Sequence, residues 1–449
     1  MLPIKKNYLL TLIACLFMLQ LPAQNYLYTT ELFGIDGSML SGAITAGSDD
    51  VSMTYYNPAA IHKVPSQLSI SLIQPTFRRF GFTKFLEDVE ADAVATNIDL
   101  KSALVSFKVN LGGVNLAFLR LTRSLLTDQF NVKVTSLEGG LSTTRFFNYE
   151  YSGDDDWYGI GTNFQLGPNL YLGVSQFLSI AGFTYNNVVL LDETENGNTN
   201  RYFNNVFEAD YSNLSFITKL GLMLDTDQHD LGITITTPTY ARLNKGGQLY
   251  STTSVINQGT VDLSNIIDNE ISPFIKTAWE LNLGYSVELN KKGKLWVNSS
   301  YHTAVSEYEM VNLEEIRPGY RWLNGSRAVW NTSLAYAHVV NEQLELSFGA
   351  RTNQFAYENK PIAQGKHRNI IFDGNHVHFV LGSKLQFNRN TVLIGVDYGT
   401  IRNVPNIEDF GRLESAGVLS PNLTELKKTN LSILLTYGFI IDQLRRRSR

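Results

Sequence analysis

The feature that most constrains this chain is a period-two alternation of apolar and polar residues along most of its length. Apolar side chains occupy every second position from Trp279 to Leu289, and the pattern recurs within residues 103–110, 344–351, 377–387, 392–399 and 431–439. Successive side chains of a β-strand point to opposite faces, so each stretch predicts a strand with one apolar and one polar face. The chain is therefore predicted to be all-β.

Connections between the predicted strands come in two lengths. Six short turns lie near residues 112–113, 167–169, 225–230, 290–293, 341–342 and 388–390, and seven longer polar stretches near 81–100, 125–142, 186–201, 240–269, 312–325, 357–367 and 403–424. Membrane β-barrels have short turns on the periplasmic side and longer loops outside. We therefore predict a membrane β-barrel of about 14 antiparallel strands over residues 65–441, with a large secreted β-protein as the soluble alternative.

Composition excludes several other classes of protein. Aromatic residues make up 12% of the chain, which argues against intrinsic disorder, and the net charge of −5 gives no basic surface for nucleic acid. The sole cysteine is Cys15, so neither a disulfide scaffold nor a cysteine-based zinc site is expected. No run of 18 apolar residues follows the N-terminal region, as a transmembrane helix would require.

The N-terminal region is typical of an export signal. Lys5 and Lys6 precede an apolar core from Tyr8 to Leu21, and Ala23 offers a small residue for cleavage. We expect a signal peptide over residues 1–24, although residues 12–15 also match a lipoprotein cleavage box. With fourteen strands, both termini of the mature chain would be periplasmic, and residues 442–449 would form a basic periplasmic tail.

Residues 25–64 do not alternate, and this segment contains Asn57, Pro58 and Ala59 shortly before the first predicted strand. Here the sequence resembles the FadL/OmpP1 family of outer-membrane channels for long-chain fatty acids and other hydrophobic compounds. The resemblance implies a bacterial outer-membrane location and an N-terminal hatch over residues 25–64 that plugs the barrel. It also implies that Asn57, Pro58 and Ala59 hold the hatch in the lumen. The alternative interpretation is that Asn57 and Pro58 form a turn between signal and barrel.

The same resemblance suggests a lateral opening in the third strand. In this family hydrophobic cargo leaves through a kink in that strand, and here the apolar phase changes between Phe118 and Leu119. A one-residue slip is what a β-bulge produces. The alternatives are an ordinary bulge, or a strand that is apolar on both faces where it packs against the hatch.

Residues predicted to face the lumen are the candidates for binding cargo. In the fifth strand the pattern places Phe177, Phe183 and Tyr185 inward, where they would line an apolar path or pack against the hatch. A fatty-acid carboxylate would need a cation, and the inward cations predicted from the pattern are Lys108, Lys219, Arg351 and Lys384. Alternatively these cations neutralise acidic residues such as Glu280, Glu288 and Glu345.

Signals for catalysis are weak, and we expect neither an enzyme nor a cofactor or metal. His376 and His378 share a strand face without a matching carboxylate in the pattern, which favours a lumenal pair over a metal site. The sequence predicts a monomer in outer-membrane lipid that passively transports hydrophobic, fatty-acid-like molecules. The alternative is a structural barrel of a protein secretion system, binding a secreted protein through its long loops, above all near residues 240–269.

Overall fold

The computed structural model describes residues 27–28, 31–71, 73–82, 93–102, 104–257, 260–312, 321–357, 366–367, 371, 373–401 and 426–441. The predicted signal peptide (residues 1–24), the basic tail (442–449) and the predicted loop at 403–424 lie outside these ranges. Within them, no helix combines the length and the hydropathy needed to cross a bilayer.

The chain forms a closed antiparallel barrel of fourteen strands. The first two barrel strands comprise β1 (Gln67–Ser71) with β2 (Ile73–Phe82), and β3 (Ala93–Ser102) with β4 (Leu104–Leu111). The next four are β5 (Val114–Glu138), β6 (Leu141–Gln165), β7 (Leu170–Glu195) and β8 (Asn198–Asp225). The seventh comprises β9 (His229–Thr236) and β10 (Tyr240–Asn257), and the eighth comprises β11 (Thr260–Asp268) and β12 (Glu280–Asn290).

The remaining strands complete the circle. The ninth comprises β13 (Gly293–His302) and β14 (Val305–Asn312), and the tenth comprises β15 (Arg321–Ser326) and β16 (Val329–Asn341). The last four are β17 (Leu344–Asn353), β19 (His376–Phe387), β20 (Asn390–Ile401) and β21 (Leu426–Ile440), with the short β18 (Lys366–His367) pairing with β15. Closure comes from β21, which pairs antiparallel with β1 and β2. The predicted all-β barrel is confirmed.

Three of the predicted loops are in fact strand. The stretch at 125–142 belongs to a hairpin of β5 and β6 that turns at Gly139 and Gly140, and 186–201 belongs to a hairpin that turns at Asn196 and Gly197. All four turn residues have positive φ, as tight hairpin turns require. The stretch at 240–269 is the hairpin of β10 and β11. In the first hairpin Phe130, Val132 and Val134 alternate with polar residues, and in the second the apolar residues 188–191 occupy both faces, so these stretches do carry strand signals.

Residues 31–64, hereafter the hatch segment, lie inside the barrel. They contain the short helices α1 (Ile35–Met39) and α2 (Met53–Tyr56) and a 3-10 helix over Pro58–Lys63. Most of their side chains are buried, including polar ones such as Asn57 and Thr54, which is unusual for a segment this short. Burial of so much polar chain requires partners on the barrel wall.

Inward-facing glycines of the wall make room for this segment. A Cβ built on Gly232 would lie 1.9 Å from the carbonyl oxygen of Thr45, and one on Gly173 would lie 2.1 Å from the amide nitrogen of Ala59. The same is true around the circumference, where added Cβ atoms would lie within 3.0 Å of hatch-segment atoms at Gly161, Gly173, Gly221, Gly232, Gly284, Gly349, Gly382 and Gly438. We call these eight residues the glycine ring. At Gly173, Gly232 and Gly284 the hatch backbone approaches the wall backbone directly.

Replacing Gly232 by alanine tests this close contact. The added methyl would overlap the carbonyl of Thr45, so the hatch segment must shift, and overpacking of this kind typically costs about 1–3 kcal/mol. The thermal unfolding midpoint in detergent should therefore fall. Gly246→Ala is the control, because nothing lies within 4 Å of a Cβ there and its midpoint should stay at the wild-type value. Equal midpoints for the two variants would contradict the tight fit.

Candidate functional site

Asn57, Pro58 and Ala59 connect the hatch segment to the glycine ring. The side chain of Asn57 donates through Nδ2 to the carbonyl oxygens of Thr45 (2.7 Å) and Leu222 (3.4 Å), and its Oδ1 accepts from the amide of Ala59 (3.1 Å). Pro58 is the first residue of the 3-10 helix. A backbone amide at this position has no acceptor within the helix, so proline costs no hydrogen bond there. One fully buried amide side chain thus joins two parts of the hatch segment and the wall.

Ion pairs anchor the hatch segment at the end of the barrel that carries the short turns. Lys63 lies 2.8 Å from Asp225 and 3.0 Å from Asp230, and His62 lies 2.9 Å from Asp225. On the opposite wall Lys384 lies 2.8 Å from Asp36 in α1. Burial raises the pKa of the Tyr56 phenol, so this hydroxyl stays protonated while it accepts a hydrogen bond from the Phe33 amide.

The third strand does slip in phase, but not where the sequence suggested. The ladder between β5 and β6 is continuous at Phe118 and Leu119, and its register shifts only between Thr122 and Ser124. Phe118 stacks outside on Phe107 at 4.8 Å, whereas Leu119 is buried inside. The slip predicted at Phe118 and Leu119 is therefore wrong. The strand is apolar on both faces there because Leu119 packs in one cluster with the hatch-segment aromatics.

The neighbouring strands change phase at the same level. Odd-numbered side chains face inward in β1 and β3, and even-numbered ones face inward in β2 and β4. In β5 the buried positions change from Leu119 and Leu121 to Asp128 and Phe130. The first three barrel strands thus each contain one extra residue relative to regular alternation, and these irregularities lie at the same height in the wall. Aligned bulges of this kind bend the wall and weaken its ladder.

Beyond these bulges the wall has a seam between β3 and the Ser124–Glu138 part of β5. The β4–β5 ladder ends at the pair Leu104–Leu121, and among the described residues no ladder pair joins β3 to β5. Asn97 of β3 instead donates to the backbone oxygens of Thr127 (3.2 Å) and Gln129 (3.3 Å). Side chains replace the backbone ladder along this seam.

A buried ion-pair network crosses the inner side of the seam. Lys428 of β21 binds Asp128 of β5 at 2.9 Å and Asp373 at 2.8 Å. Arg78 of β2 lies 3.1 Å from Asp99 of β3 and 3.7 Å from Asp128. Five charged groups from β2, β3, β5, β21 and the segment before β19 thus hold the seam together.

Above the hatch segment the lumen contains an aromatic cluster. Its members are buried side chains from β5, β6, β7, β8 and β15, each in ring contact with at least one other: Phe130, Phe147, Tyr149, Tyr151, Phe183, Tyr185, Phe207, Tyr211 and Trp322. Two of the predicted candidates, Phe183 and Tyr185, belong to it, with ring centroids 5.5 Å from Tyr211 and 5.7 Å from Phe207. Phe177 lies deeper and contacts Tyr55 of the hatch segment at 6.5 Å.

The predicted lumenal cations all face inward, but each has a partner. Lys219 lies 3.5 Å from Glu280, Arg351 lies 2.7 Å from Asp397, and Lys384 pairs with Asp36. Lys108 donates to the carbonyl oxygen of Val64 at the end of the hatch segment. His378 also has a carboxylate that the pattern did not reveal, because Asp397 lies 3.0 Å from it on the neighbouring strand.

A small polar cavity separates the hatch segment from strands β12 to β17. Its volume is about 50 Å³, enough for a few waters, and its lining includes Tyr28, Tyr56, Glu280, Asn298 and Asn331. Within the described ranges, no three His, Cys, Asp or Glu side chains come together in a way that could hold a metal ion.

No protein-family model and no curated protein matches the chain. Solved structures do match in fold. A FadL homologue of Pseudomonas aeruginosa is 9% identical with a TM-score of 0.59, covering 92% of this chain and 100% of its own. The toluene transporter TodX of Pseudomonas putida is 14% identical with a TM-score of 0.59 and the same coverage. The toluene transporter TbuX of Ralstonia pickettii is 10% identical with a TM-score of 0.54, covering 91% and 98%. At these identities the likeness is one of fold.

Replacement of Asn57 by alanine tests the amide that joins the hatch segment to the wall. The variant leaves the buried carbonyl of Thr45 without its donor, and such losses cost about 1–3 kcal/mol. We expect faster proteolytic cleavage within residues 31–64 of the folded barrel. The exposed Asn200→Ala serves as the control and should leave the cleavage rate at the wild-type value. A wild-type rate for Asn57→Ala would show that this amide does not hold the segment.

Proposed function

We propose that this protein is a bacterial outer-membrane channel for passive transport of hydrophobic small molecules. The observation that carries the proposal is the combination of a closed fourteen-strand barrel with an aromatic cluster in its lumen and a seam in its wall. The fold is shared with a FadL homologue and with transporters that are described as carrying toluene. Exposed leucine and isoleucine side chains on the outer face of the barrel suit contact with lipid.

In this proposal the hatch segment closes the barrel. Barrels of this size are wider than those that wall side chains alone can fill, so a plug is needed to prevent leakage. The glycine ring, Asn57 and the ion pairs of Lys63 and Lys384 supply the contacts that keep it in place. Pro58 and Ala59 position the 3-10 helix against Gly173 and Gly221.

Cargo would partition into the aromatic cluster and leave through the wall at the seam. The cluster includes Phe130, which follows Asp128 by two residues on the inner face of β5, so apolar surface continues to the seam. Opening the seam breaks the side-chain contacts of Asn97 and the ion pairs of Asp128 rather than a backbone ladder. The lateral route suggested for Phe118 and Leu119 is thus moved to the region beyond Arg123.

One observation favours the second candidate, a barrel that binds a protein partner. In the described part of the chain β11 forms ladder pairs only with β10, and no described strand pairs with its other edge. Its side chains Val261, Leu263 and Ile267 are 60%, 66% and 58% exposed. An uncovered strand edge with apolar side chains can pair with an extended segment of another protein. Transport and partner binding lie on different surfaces, so uptake measurements separate them.

Cross-linking the seam tests the transport route. Thr96→Cys and Thr127→Cys place two thiols on the outer face of β3 and β5, on opposite sides of the seam. Bridging them with a short reducible bis-maleimide should lower the uptake of radiolabelled 1-dodecanol by outer-membrane vesicles to that of vesicles lacking the protein. Reduction of the linker should restore uptake.

The matched control bridges an intact ladder. Thr135 and Thr144 face each other across β5 and β6, with their hydroxyl oxygens 3.1 Å apart. Cysteines bridged at these positions should leave uptake unchanged. Uptake that persists in the bridged Thr96–Thr127 variant rules out the seam as the exit, and vesicles whose uptake never exceeds the protein-free level contradict the transport function itself.

A further inference from the structure

Resting on the proposed function, we propose that the cargo is uncharged and that the ion pairs of the lumen exclude carboxylates. A channel for fatty-acid anions needs a cation that is free to bind the carboxylate head group. The buried cations of the described residues are Arg78, Lys108, Arg123, Lys219, Arg351 and Lys428. The exclusion follows from what each of them already binds.

Five of these six cations have carboxylate partners within the barrel. The separations are 3.1 Å for Arg78–Asp99, 3.8 Å for Arg123–Asp155, 3.5 Å for Lys219–Glu280 and 2.7 Å for Arg351–Asp397. Lys428 has two partners, Asp128 and Asp373. Five cations thus face six carboxylates. The sixth cation, Lys108, donates to the backbone of the hatch segment.

A carboxylate cargo would have to compete with these residues. It would lose its hydration on leaving water, and binding to a lumenal cation would displace a buried aspartate or the half-buried Glu280. The displaced carboxylate would then remain in the interior without a partner. An uncharged molecule meets neither cost, because the aromatic cluster offers apolar surface without requiring any ion pair to break.

The ion pairs of Lys428 with Asp128 and Asp373 lie on the path that a carboxylate head group would take to the seam. The Lys428 ammonium is 4.7 Å from the ring centroid of Phe80, and Phe80 packs in the same apolar cluster as Phe130 and Tyr149. A molecule moving from the aromatic cluster to the seam therefore passes the Asp128, Lys428 and Asp373 side chains. With Arg78 and Asp99 included, this network holds two cations and three carboxylates.

Equilibrium dialysis with two matched probes tests the inference. Radiolabelled 1-dodecanol and dodecanoate share a chain length but differ in charge at pH 8. Each is dialysed against the purified full-length protein in a neutral detergent. We expect dodecanol to bind at least about tenfold more tightly than dodecanoate, as expected when one ligand must break a buried ion pair. Equal or tighter binding of dodecanoate would overturn the inference while leaving transport of hydrophobic molecules intact.

A double variant tests whether the ion pairs cause this preference. Asp128→Asn with Asp373→Asn removes both partners of Lys428, so the ratio of dodecanol to dodecanoate affinity should fall by about tenfold. Asp192→Asn with Glu193→Gln makes the same charge change near the tip of β7 and should leave the ratio unchanged. Heat-modifiable electrophoresis establishes that each variant forms the barrel.

The remaining outcomes are also decisive. If wild-type protein prefers dodecanol but the double variant keeps the same ratio, the lumenal ion pairs are not the cause and the assignment is wrong. If the double variant does not form a barrel, the wild-type ratio still decides between an uncharged and an anionic cargo. If neither probe binds, the proposed transport function fails, and the inference about cargo charge fails with it.

Discussion

Direct backbone contact between the hatch segment and the barrel wall is the constraint on which the rest of this structure depends. At eight inward glycines of the wall an added Cβ would come within 3.0 Å of the hatch segment, and at Gly232 it would lie 1.9 Å from the Thr45 carbonyl oxygen. Without side chains in between, the short helices of the hatch segment can sit low in the barrel and share hydrogen bonds with strand carbonyls such as that of Leu222. The hydrogen bond from Asn57 to the Leu222 carbonyl requires this approach.

With the hatch segment in place, the described lumen divides into two chemical regions. Next to β12, β13 and β16 it is polar, with Glu280, Asn298 and Asn331 around a small cavity. Next to β6, β7 and β8 it is aromatic, and this region continues through Phe130 to the seam in the wall. Ion pairs such as Lys428–Asp128 border the aromatic region and hold the seam where no backbone ladder does. The same side chains therefore stabilise the wall and shape what can pass it.

Much of the fold could be read from the sequence, because alternation and turn residues are local signals. The strand number follows from the short turns and longer stretches between the alternating segments, and the inward positions of Phe177, Lys219 and Arg351 follow from period two. The position of the register shift at Arg123 does not follow from period two. Leu119 and Leu121 are apolar because they pack inside with aromatic residues of the hatch segment, and this gives the sequence the appearance of an earlier change of phase. The ends of the β5–β6 and β7–β8 hairpins were missed although Gly139–Gly140 and Asn196–Gly197 are turn signals. Closure of the barrel brings Asp128 and Lys428 together although they are 300 residues apart, so local sequence patterns could not predict this ion pair.

Single-channel conductance in planar bilayers tests most directly whether the hatch segment closes this barrel. The full chain should show little or no steady conductance, because the glycine ring lets residues 31–64 fill the lumen. A chain lacking residues 25–60, shown by electrophoresis to form the barrel, should conduct steadily as an open pore. Equal conductance of the two chains would mean that the contacts of Asn57 and the glycine ring do not seal the channel, and the proposed path for cargo would have to be abandoned.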